Sequence, residues 1–248
     1  MIVLIWILEN FLLAVTPHLF RHTNFPGLVL YSCLSVVLVG ILVPALRVRA
    51  ALLSGAVNML QIGFRSTRRT AMAVSLTVLA CYAFLASGII PVGTLDRWEG
   101  GMLFVLLLPT GIAAVMTCWV LAGTHLQAYV RNDGAAVSVI AGVPVTAILF
   151  ALSMSVIFSG PAPQDLSLSF FVLGCVAALV FFAIRDIYVT ITVVTSGLVV
   201  LLSSYIDSGY LAPASPVVVL CVLITLGVLV GVHGYFSCHF TTVLLSKM

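Results

Sequence analysis

Charge is what this sequence has least of. Only 7% of its 248 residues are Asp, Glu, Lys or Arg, while 62% are hydrophobic. An ordinary soluble domain carries about 25% charged residues, so that class is excluded. Net charge is +3, too small a surplus to expect nucleic acid as a partner. Lysine is reduced to Lys247, which leaves no lysine inside an apolar run for a rhodopsin-type Schiff base. No Asn-x-Ser/Thr sequon occurs, so nothing supports a glycosylated surface protein. The cysteines (Cys33, Cys81, Cys118, Cys175, Cys221 and Cys238) all lie in apolar runs, and no two form a CxxC. A disulfide framework or zinc ribbon is not expected; they read as small buried hydrophobes. No catalytic or cofactor motif stands out, so no cofactor is expected and the reading leans away from an enzyme.

What fills the chain instead is apolar sequence. A spanning helix needs roughly 20 mostly apolar residues. About eight such runs occur, near 2–20, 27–46, 71–91, 101–122, 136–159, 167–184, 188–206 and 216–241. They are continuously apolar rather than alternating, which predicts helices and not a β-barrel. The expected fold is all-α: a polytopic transmembrane bundle forming one integral membrane domain over 1–248. The N-terminal run lacks a basic n-region and is broken by Glu9 and Asn10, so it reads as a retained first span. Breaker-rich stretches such as Gly160-Pro-Ala-Pro-Gln-Asp165 separate several runs.

Only Arg185 and Asp186 separate the sixth and seventh runs. One helix over 167–206 would be about 60 Å long, twice the hydrocarbon thickness. A tight helical hairpin is therefore expected. A broken helix with an intramembrane ion pair would reduce the count to seven.

The charges orient the chain. The second loop holds Arg47, Arg49, Arg65, Arg68 and Arg69 with no acid; the fourth holds His125, Arg131 and Asp133; the sixth holds Arg185 and Asp186. Basic residues accumulate on cytoplasmic loops, so even-numbered loops and both termini are expected in the cytoplasm. Within loop two, Leu53, Val57, Leu60 and Phe64 recur at helical spacing, and so do Ser54, Asn58, Gln61 and Arg65. This pattern predicts an interfacial amphipathic helix near 50–65 that ends in basic residues able to meet lipid phosphates. Arg65, Arg68, Arg69, Arg131, Arg185 and Asp186 are the partner- or lipid-facing candidates.

Candidates for chemistry are sparse. His18 and His22 stand four apart and share a helix face, but two ligands do not make a metal site. A haem between helices would need a second histidine at the depth of His233, and His125 sits at a span end. Glu9 lies well inside a span, where ionisable groups are costly and mark coupling sites. Thr195-Ser196-Gly197 has the outline of a serine-protease turn with His233 as base, but Val194 stands where the preceding glycine belongs. Pro109-Thr110-Gly111 is the best candidate for a broken helix lining a substrate path, with Pro109 and Gly111 the transport candidates. Gly227-x-x-x-Gly231 reads as a close-approach surface.

The arginine-rich amphipathic helix followed by six spans over 71–241 resembles the layout of ABC-2-type export permeases. That resemblance implies an elbow helix before the first span and a cytoplasmic ATPase partner. The ATPase would meet loop two and residues 123–134. The leading expectation is thus a permease-like transport subunit for a hydrophobic or amphiphilic substrate. The alternatives are a non-catalytic subunit of a larger membrane complex, held to other membrane subunits, and a membrane enzyme with a histidine-based metal or haem site.

Overall fold

The computed structural model describes Leu8 and residues 32–87, 97–130, 135–158, 166–203 and 216–245. Seven helices run through them. α1 is π-helical over Ser32–Leu42 and α-helical over Val43–Leu53. α2 covers Thr67–Ala86. α3 is α-helical over Arg97–Ala114, π-helical over Val115–Gly123 and α-helical again over Thr124–Tyr129. α4 is Ala135–Ile157, α5 Leu166–Ile184, α6 Ile187–Leu202 and α7 Pro216–Leu245.

Among the described residues, five stretches are long and apolar enough to cross a membrane: Cys33–Leu53, Glu99–Tyr129, Val139–Ile157, Leu166–Ile184 and Val218–Phe240. The chain is a multi-pass helical membrane protein. α6, at 16 residues, is shorter than a full span. α2 overlaps the expected 71–91 run but is not one of the five. The run at 2–20 lies outside the described residues, apart from Leu8.

α3 is the axis of the bundle. Its span is 31 residues long and 78% buried across its most apolar window. α1, α4, α6 and α7 pack around it, α5 lies against α4 and α6, and α2 lies outermost, against α6. Trp119, Phe150, Phe181, Ile112 and Met116 are among the fully buried side chains at this centre. Trp119 of α3 and Phe150 of α4 meet with ring centroids 5.2 Å apart. Small residues set the closest helix approaches. A Cβ on Gly40 would lie 2.5 Å from Ala113 Cβ, and one on Gly174 would lie 2.9 Å from Ala147 Cα. Ser155 and Ser167 hydroxyls meet at 3.0 Å, while Phe182 lies against Gly142, so α4 and α5 run antiparallel.

The sixth and seventh runs form the expected hairpin. Leu173 and Gly197 each stand twelve residues from Arg185, and they touch. In one straight helix they would be about 36 Å apart. Arg185 makes the reversal with φ of 56°, a left-handed conformation that is costly for any residue with a Cβ.

The amphipathic helix near 50–65 is not continuous. α1 runs on to Leu53, and the chain then turns at Gly55, which has φ of 73°. Only Met59–Ile62 is helical beyond it. Asn58 caps that turn by accepting from Gln61 N–H, and Gln61 Oε1 accepts from Asn58 N–H. Gly63 then stops it with φ of 94°. The spaced apolar residues do not share a face: Val57 and Phe64 are buried, while Leu53 and Leu60 are exposed. The periodic pattern was outweighed by two glycines placed where backbone reversal was needed.

Candidate functional site

Loop two, the α5–α6 reversal, the end of α3 and the late part of α7 converge at one end of the bundle. The link begins in the backbone, where Ile187 N–H donates to Gly63 carbonyl oxygen at 3.2 Å. Arg65 Nε donates to Arg185 carbonyl oxygen at 3.0 Å. Arg185 donates in return from one terminal nitrogen, to Gln127 Oε1 at 2.8 Å and to Gln61 carbonyl oxygen at 3.3 Å. Its guanidinium lies over Phe181 and Phe182, 5.9 and 5.3 Å from the ring centres.

Asp186 is only 1% exposed. Its carboxylate caps α6 by accepting from the N–H groups of Tyr188 and Val189 at 3.0 and 3.2 Å. The other oxygen accepts from the Thr70 hydroxyl at 2.9 Å, which ties α2 to α6. Asp186 thus closes a hairpin and does not form the intramembrane ion pair with Arg185 that a broken helix would have required.

The sequence offered His233 no evident partner. The residue has two partners at the arginine-rich end. Its Nε2 lies 2.8 Å from Arg65 carbonyl oxygen, which can only accept, so Nε2 carries the proton. In the neutral ring, Nδ1 then accepts from the Tyr188 hydroxyl at 3.0 Å. Phe64 stacks on the same ring at 5.1 Å. His233 therefore holds three elements together. It does not meet Ser196, which lies midway along α6, so the protease outline is not assembled. Further out, Arg49 Nε donates to the Tyr235 hydroxyl at 2.7 Å.

Arg68 and Arg69 sit apart from this network. They are exposed and line a shallow groove on the outer face of α2 with Ser66, Met72, Ala73 and Leu76. Glu9, His18, His22 and Arg131 lie outside the described residues. Among the described residues, no group of three or more His, Cys, Asp or Glu could hold a metal.

A second polar locus lies midway along the spans. α3 is not broken at Pro109; the helix runs through it and widens only from Val115. Pro109 lacks an N–H for the carbonyl four residues back, and a π-helical stretch follows close by. Gly111 faces α6, and a Cβ there would press into Thr195 Oγ1. That hydroxyl is 0% exposed and has no hydrogen-bond partner. Trp119 Nε1, also fully buried, has none either. Buried polar groups in native proteins are nearly always paired, so these two orphans, Trp119 on the widened stretch and Thr195 on the facing α6, call for an explanation. The sequence pointed to Pro109 and Gly111; it marked Thr195 only as part of a protease outline, and nothing in it marked Trp119.

The close fit predicts a coupled pair. Gly111→Ala should lower stability by about 1–3 kcal/mol through overpacking. Thr195→Ala should restore most of that loss in the double variant. Additive losses in detergent unfolding would show that the two residues do not touch.

No family model, no curated protein and no solved structure matches this chain. The likeness to ABC-2-type permeases therefore rests on layout, and its elbow is interrupted here at Gly55 and Gly63.

Proposed function

We propose that this protein is a membrane-embedded transport subunit that moves a hydrophobic or amphiphilic substrate past the middle of α3. The observation that carries this reading is the pair of orphaned donors, Thr195 Oγ1 and Trp119 Nε1, beside a π-helical stretch at mid-span. Helix irregularities at membrane depth recur where substrate passes, and the polar part of an amphiphile could satisfy these donors. In this reading the arginine-rich end faces the cytoplasm, in keeping with the excess of arginine on the loops gathered there.

The test is efflux of a fluorescent amphiphile from proteoliposomes containing the purified protein. Thr195→Val removes one donor with little change of shape, and Trp119→Phe removes the other while trimming the buried indole to a single ring. Flux should fall several-fold in both, while thermal stability holds or rises in Thr195→Val because a buried unpaired group has gone and falls in Trp119→Phe by the cavity it opens. Full flux in both variants, or none in the wild type, overturns the reading.

One observation favours a non-catalytic subunit instead. α2 leaves Met72, Leu76, Leu79 and Tyr82 exposed along one face, a surface that another membrane subunit could cover. Wild-type protein without flux, purified at fixed stoichiometry with other membrane proteins, would establish that alternative.

A further inference from the structure

Gln127 is 3% exposed, and its amide is only half used. Oε1 accepts from Arg185, while Nε2 has no partner. The amide cannot be turned round, because Nε2 would then face the Arg185 donor. Arg185 spends one terminal nitrogen on Gln127 and Gln61. Arg65 spends only Nε. Among the described residues no carboxylate pairs with either guanidinium, since Asp186 turns to Thr70 and the α6 amides. What remains at this corner is a set of unused donors and two positive charges.

The backbone adds an independent sign. Arg185 holds φ of 56°, where glycine would be cheaper. Strained non-glycine residues cluster at binding sites, where the side chain is worth the strain. The aromatic rings of Phe181 and Phe182 shield one side of the guanidinium from water.

We propose that Arg185, Arg65 and Gln127 form a binding site for a phosphate group at the arginine-rich end of the bundle. Guanidinium groups present planar forks that match phosphate oxygens, and the Gln127 amide supplies a neutral donor between α3 and the reversal. Burial, and then the charge of Arg65, push Arg185 below its ordinary value, an electrostatic stress that a bound anion relieves. The phosphate comes either from a phospholipid headgroup or from a soluble phosphate. The site is separate from the mid-span locus, so it stands whether or not the transport reading does.

The experiment uses the full chain in detergent and in nanodiscs. Inorganic phosphate is titrated by calorimetry, and bound lipid is read by native mass spectrometry from bilayers of phosphatidylglycerol mixed with phosphatidylcholine. Arg185→Gly removes the charge and suits the left-handed backbone; Gln127→Leu removes the orphan donor and keeps the volume. Both variants should fold, as judged by thermal unfolding, and bind at least about tenfold more weakly. Saturable binding of inorganic phosphate, lost in both variants, assigns a soluble ligand. Retained phosphatidylglycerol, lost in both variants and without phosphate binding, assigns a headgroup. Binding of neither probe, or binding unchanged in either variant, overturns the proposal.

Discussion

Replacing Asp186 by alanine is expected to destabilise the protein by about 1.5–5 kcal/mol, through the loss of a helix cap and a stranded buried hydroxyl. The carboxylate serves two helices at once. It accepts two backbone N–H groups at the start of α6, and removing a cap of this kind costs about 0.5–2 kcal/mol. It also accepts from Thr70, which is itself buried, and an unsatisfied buried hydroxyl costs about 1–3 kcal/mol. Asp186→Asn keeps an oxygen for the cap and should lose much less. Thr70→Val should also lose about 1–3 kcal/mol, because it leaves the second oxygen of the buried Asp186 carboxylate without its donor. Unfolding in mixed micelles across these variants would check the ranking. If Asp186→Ala proved as stable as Asp186→Asn, the cap would not hold the hairpin.

Much of the architecture was legible before any coordinates. Long uncharged runs dictate helices, because no other open structure satisfies its backbone in lipid. The α5–α6 hairpin followed from length alone, and Leu173 against Gly197 confirms it. The grouping of loops two and six was legible from their arginines; the contact between Arg65 and Arg185 bridges 120 positions of sequence. Element ends were read less well. α1 was expected to stop at 46 yet continues through Arg47 and Arg49 to Leu53, since arginines on long stems are tolerated near the membrane surface. α3 was expected to end at 122 yet continues through Gly123 to Tyr129, because one glycine does not stop a well-packed helix. The partners of His233, Arg65 and Tyr188, come from other elements, so the sequence did not bring them together. The same holds for Gln127 and Thr195: an orphaned polar atom is a property of packing, and no spacing rule announces it.

The two left-handed glycines of loop two separate conformation from space. Gly55 has φ of 73° and nothing within 4 Å of where a Cβ would stand. Gly55→Ala should therefore lose only the backbone penalty, about 1–2 kcal/mol. Gly63 has φ of 94°, and a Cβ there would lie 3.2 Å from both Ile187 Cγ1 and Phe181 Cε2, and 3.4 Å from the Arg185 carbonyl carbon. Gly63→Val should lose the same backbone penalty plus an overpacking cost of about 1–3 kcal/mol, for a total near 2–5 kcal/mol. It should also pull the Gly63 carbonyl away from Ile187 N–H and so loosen the reversal that presents Arg185. Phosphate binding would then fall in Gly63→Val but hold in Gly55→Ala, although both replace a left-handed glycine in one loop. Equal losses of stability at the two sites would mean that loop two is not packed against the hairpin. Unequal losses with binding unchanged would separate the packing of Gly63 from the placement of Arg185.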